Sequence, residues 1–92
     1  MGRASRNKPA KLAEKLLTIR NELKLSQAEL IEKLANKDIP LYKADISKYE
    51  SGKREPPLLI LLGYARLGGV SMEMLVDDEI TLPMISPPSK LP

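Results

Sequence analysis

Apolar residues at Leu12, Leu16, Ile19 and Leu23 step by four, three and four, which lays them along one side of an α-helix. Pro9 stands ahead of the stripe where a proline suits an early helical turn, so the spacing predicts a first helix facing a core. A second helix opens at Ser26 or Gln27. The Ser26 hydroxyl can accept from the amide three residues on while Glu29 reaches back to the Ser26 amide, a reciprocal cap that sets the start. This helix should run to about Leu34, burying Leu30 and Leu34 with help from Ala28 and Ile31. Between the two helices, Lys24 occupies a position where glycine would ease the turn, at some cost in strain.

Eleven residues, 35–45, then separate Leu34 from Ile46. Pro40 disfavours helix at residue 39 and sets the start of a third helix at about Leu41 to Lys43. Its end falls near Glu50, because Gly52 tolerates the left-handed conformation that closes a helix. Ile46 is its inward residue, with Tyr49 close behind; Lys43, Ala44, Ser47 and Lys48 share the outer face.

A fourth helix follows Pro56-Pro57 with an apolar set of Leu58, Leu61, Leu62 and Ala65, and Gly68-Gly69 ends it. Gly63 weakens its intrinsic stability and suggests a close helix contact there. Ser71 caps a short fifth helix carrying Met72, Met74, Leu75 and Val76, and Asp77 and Asp78 oppose the dipole at its end. Residues 79–92 hold four prolines in fourteen positions and read as an extended tail, with strand character only at Ile80-Thr81-Leu82. The organisation expected is a flexible basic arm at 1–8, a helical domain at 9–78 and a Pro-rich tail at 79–92. The fold class is all-α with five helices, and the predicted core is Leu16, Ile19, Leu30, Leu34, Ile46, Leu61, Leu62 and Leu75.

Composition narrows the chemistry. Ninety-two residues suffice for one small core. The absence of Cys and His excludes zinc and iron–sulfur ligand sets, cysteine nucleophiles and histidine bases, so we expect no metal, no cofactor and no enzyme. No apolar run is long enough for a membrane span or a signal peptide, which suggests a cytoplasmic protein. The net charge of +3 is unevenly spread: residues 1–54 carry +6 and residues 55–92 carry −3. Arg3, Arg6 and Lys8 in the arm add to the basic half, which suits a face presented to a polyanion.

Arg20, then Leu25-Ser26-Gln27-Ala28-Glu29-Leu30, then Ile46-Ser47-Lys48-Tyr49-Glu50-Ser51-Gly52-Lys53-Arg54, then Pro56 and Gly69-Val70-Ser71, come in an order that resembles the Cro and phage-repressor-like (XRE-type) helix-turn-helix family. The resemblance covers about residues 10 to 77. It implies a five-helix DNA-binding domain that sets its third helix in the major groove while the second crosses the backbone. Base-reading positions are then Lys43, Ala44, Ser47 and Lys48. Phosphate ligands are Ser26, Gln27, Tyr42, Lys53 and Arg54, and Arg20 with Glu50 is a structural ion pair. The chain departs from the family in two places. Residues 35–42 form a longer turn, with Asn36-Lys37-Asp38-Ile39-Pro40 as the insertion, and Gly68 stands where a large apolar residue is usual, a space that Leu67 is expected to fill.

The leading expectation is a sequence-specific binder of double-stranded DNA, a transcriptional regulator and in first place a repressor, acting as a homodimer on palindromic DNA. Helix five and Ile80 to Leu82 are the candidate dimer contact. The rival is a protein-interaction module, such as a toxin-pair antitoxin or an adaptor, whose C-terminal tail binds a partner protein.

Overall fold

The computed structural model describes residues 9–35 and 39–83 of the chain. It contains five helices, α1 (Leu12–Glu22), α2 (Gln27–Leu34), α3 (Lys43–Ser51), α4 (Leu58–Gly68) and α5 (Met72–Val76), with no extended strand among the described residues. The fold is therefore all-α, and among the described residues no helix is long and apolar enough to cross a membrane. The expected basic arm, residues 36–38 of the expected insertion and the tail beyond residue 83 lie outside the described residues.

Three helices close by one backbone device. After α1, the Leu25 amide donates to the Arg20 carbonyl (3.1 Å) and the Lys24 amide to that of Asn21 (3.0 Å); Lys53 and Val70 repeat the longer bond to Lys48 (2.9 Å) and Ala65 (2.9 Å). Each closure needs one left-handed residue. Gly52 (φ 80°) and Gly69 (φ 70°) supply it without penalty, whereas the first closure places Lys24 at φ 59°, as its position suggested.

Leu12, Leu16, Ile19 and Leu23 of the α1 stripe, Leu30 and Leu34 of α2, Ile46 and Tyr49 of α3 and Leu75 of α5 form one core with α4. Two expectations about its edge need correction. Ala28 is exposed and Ile31 only half-buried, because α2 turns no more than Leu30 and Leu34 fully inward. On α4 the buried set is Ile60, Leu61, Tyr64 and Ala65, while Leu58 (70%) and Leu59 (54%) are exposed and Leu62 is half-buried. Five consecutive apolar residues, 58–62, leave periodicity without a preferred face. The large Tyr64 ring, fully buried, selects the face one turn earlier at Ile60 and Leu61.

The glycines of α4 mark close approaches. A Cβ on Gly63 would lie 3.1 Å from Leu34 Cδ2, the expected helix contact. At Gly68 it would lie 3.2 Å from Ile19 Cδ1, so the occupant of that space is Ile19 of α1 and not Leu67, which stays half-buried.

Helix α1 begins at Leu12, with Pro9 ahead of it in irregular chain. Its leading amides are satisfied from far along the chain. The Ala10 and Lys11 amides donate to the Asp78 carboxylate at 2.8 and 3.0 Å, which holds that carboxyl below the usual carboxylate range. Asp78 therefore does not oppose the α5 dipole as expected; it favours that of α1. Reciprocally, Lys15, 5% exposed, donates through its ammonium to the Met74 (2.7 Å) and Asp77 (2.9 Å) carbonyls at the end of α5. Ser71 caps the start of α5 as predicted, its hydroxyl accepting from the Met74 amide at 3.1 Å. Beyond α5 the expected strand at 80–82 is absent: the Ile80 amide turns back to the Asp77 carbonyl (3.1 Å), and Ile80 and Leu82 are half-buried along a groove beside α1.

Candidate nucleic-acid interface

The exposed face of α3 and the start of α2 form the candidate site. At the start of α2 both halves of the predicted cap are present, Glu29 N–H to Ser26 Oγ at 3.1 Å and Ser26 N–H to Glu29 Oε1 at 2.8 Å. The bond from the Ser26 amide lowers the Glu29 pKa and favours its charged form. Ser26 itself is exposed. Gln27 is half-buried, and its Nε2 donates to Ser47 Oγ at 3.1 Å, joining the first turn of α2 to the outer face of α3.

Lys43, Ala44, Ser47 and Lys48 all lie exposed on α3, with Tyr42 (65% exposed) just ahead and Lys53 just behind. Lys43, Lys48 and Lys53 form no ion pair with any described residue. They are available to an anion approaching from solvent.

Helix α3 is held at both ends. At its C-terminal end Arg20 makes a two-pronged contact with Glu50, Nε to Oε2 at 2.6 Å and Nη2 to Oε1 at 3.1 Å, with Nη1 donating to the Leu25 carbonyl at 3.0 Å. The Arg20 and Glu50 side chains are 17% and 8% exposed. Bidentate geometry of this kind sets the angle of a helix relative to its neighbours, here α1 against α3. Tyr64 lies buried nearby, its hydroxyl unbonded among the described residues, and burial with the Glu50 charge pushes its phenol pKa well above the usual value.

At the N-terminal end of α3, the Tyr42 amide donates to Asp45 Oδ2 (2.9 Å) and the Asp45 amide to the Tyr42 carbonyl (2.9 Å). Asp45 also pairs with Arg54, whose guanidinium sits 5.5 Å from the centre of the buried Tyr49 ring. The Tyr42 amide first, then Arg54, holds the Asp45 carboxyl below the usual carboxylate range. Arg54, expected to meet phosphate, thus spends its charge partly within the chain. Sequence reading passed over Asp45 because its partner stands nine residues on and beyond the end of the helix.

Among the described residues no acidic cluster of three or more is placed to hold a metal ion. No family model, curated protein or solved structure matches the chain.

Proposed function

We propose that the protein binds double-stranded DNA sequence-specifically and regulates transcription, in first place as a repressor, by presenting α3 to the major groove. The observation that carries this reading is the exposed α3 face of Lys43, Ala44, Ser47 and Lys48, held at a set angle by Arg20–Glu50 and tied to α2 by Gln27–Ser47. A major groove about 12 Å wide accepts one such helix, and Lys can donate to guanine O6 or N7 while Ala packs on a thymine methyl. Lys53 follows the left-handed Gly52 at the end of α3, well placed for a backbone phosphate, and the N-terminus of α2 at Ser26 and Gln27 offers a second anion-favouring position. The protein would act as a homodimer on a two-fold site, with α5 and its 40% exposed Val76 as the candidate contact.

Selection of bound sequences from a random DNA pool tests the proposal. A two-fold motif, with affinity falling steeply in salt at a log–log slope of about −5, is the expected result. A flat salt response with no enriched sequence would overturn it in favour of a second reading, a protein-interaction module. The exposed Leu58 and Leu59 of α4 favour that second reading, because neighbouring exposed leucines suit a protein partner better than a phosphate backbone.

A further inference from the structure

Of the cations near the α3 face, Arg54 differs from the three lysines. Lys43, Lys48 and Lys53 form no ion pair with a described residue, whereas Arg54 is paired with Asp45 and set over the Tyr49 ring. Neither partner is free to swing aside. Asp45 is held by the Tyr42 amide at 2.9 Å, and Tyr49 is 3% exposed. The pair nevertheless faces solvent, with the Arg54 side chain 48% exposed, so a phosphate can approach and compete for the guanidinium.

We infer that Asp45 is a specificity-determining residue that restrains Arg54. Its carboxylate occupies guanidinium donors that would otherwise meet any phosphate, and it cancels the Arg54 charge at long range. Arg54 then adds little to indiscriminate attraction, and it engages the DNA backbone only where docking of α3 brings a phosphate close enough to replace Asp45. A protein searching among random sequence gains discrimination from such a restraint, because electrostatic contacts dominate non-specific binding. The inference rests on the DNA-binding reading above.

The test compares wild type, Asp45→Asn, Arg54→Ala and the double variant on a random-sequence duplex over a salt titration. Asn keeps an oxygen for the Tyr42 amide while removing the charge, and thermal melting checks that α3 survives; Asp45→Ser, which also keeps an acceptor, is the second variant. Asp45→Asn should tighten random-duplex binding about fivefold at low salt and steepen the log–log slope by about 0.9, one further phosphate contact. In the Arg54→Ala background the same change should do neither. An equal gain in that background would show plain repulsion by Asp45 and overturn the inference, as would no gain at all. Wild type that binds no duplex at any salt removes the DNA-binding reading and this inference together; wild type that binds but ignores Asp45→Asn removes the inference alone.

Discussion

Two arginine–carboxylate pairs hold the two ends of α3, and they differ in what surrounds them. Arg20 and Glu50 meet with two bonds at 17% and 8% side-chain exposure, whereas Arg54 and Asp45 meet at 48% and 19%. Water cannot readily take the place of a lost partner at the first pair, so removing one leaves a charge without solvation. At the second pair water can take the place of either partner, or another anion that of Asp45, at small cost. The same chemistry therefore fixes an angle at one end of the helix and remains exchangeable at the other.

Breaking the more enclosed pair should have the largest effect. Arg20→Ala takes the partner from Glu50, 8% exposed in the intact pair, so chemical denaturation should show a loss of about 3 kcal/mol, with DNA affinity falling in parallel. Unchanged stability together with unchanged affinity would erase the contrast between the two ends.

On the exposed side the prediction concerns binding. Lys48→Ala should cost about 1–3 kcal/mol on a selected duplex and little on random DNA, the signature of a base contact. Lys53→Ala should weaken both alike and lower the salt slope by about one. Equal losses on both duplexes for Lys48→Ala would make it a phosphate anchor. The long turn ahead of α3 makes this comparison worth measuring, since the rotation of α3 in the groove decides it.

The closure that precedes α2 offers an effect of opposite sign. Lys24 at φ 59° carries a strain that Gly52 and Gly69 avoid, so Lys24→Gly should raise stability by about 0.5–1 kcal/mol. A loss on denaturation would mean that the lysine side chain contributes more than its backbone costs.

Arg54→Ala should lower the melting temperature far less than Arg20→Ala, because the pair it breaks is open to water. A comparable fall would show that exposure does not separate the two pairs.

The smallest effect is in acid. Asp78 is held below the usual carboxylate range by the Ala10 and Lys11 amides. A depressed folded-state pKa contributes stability above the unfolded value of about 3.9, and that contribution fades as pH falls through the folded value. Wild type and Asp78→Asn should therefore differ in melting temperature at neutral pH, and the difference should begin to close below about pH 4 and vanish only once Asp78 is protonated in the folded state. A constant difference across that range would assign the Asp78 effect to its hydrogen-bonding shape and not its charge.

Sequence reading succeeded where the deciding contacts are close along the chain. The Ser26–Glu29 cap spans three residues, the Gly52 stop is a backbone conformation, and the strained Lys24 follows from the same rule. The exposed α3 residues were legible for a related reason, since helical spacing from the buried Ile46 sets which side chains face away. The reading failed on Leu62 and Leu58, where an unbroken apolar run removed the periodic signal. It also failed on Asp78. An acid after a helix reads against that helix, yet Asp78 satisfies the start of α1, 67 and 68 residues away, and Lys15 in return satisfies the end of α5, 59 and 62 residues away.

By itself the sequence determined the five helices, their stops and the basic character of the α3 face, because propensity, capping and charge are properties of neighbours. Tertiary structure alone decided which side of α4 is buried, that Ile19 and not Leu67 covers Gly68, and that Arg54 pairs with Asp45 while Lys43 and Lys48 form no ion pair with a described residue. Those outcomes depend on which distant side chains compete for the same space or the same charge, and that competition is settled only when the helices pack.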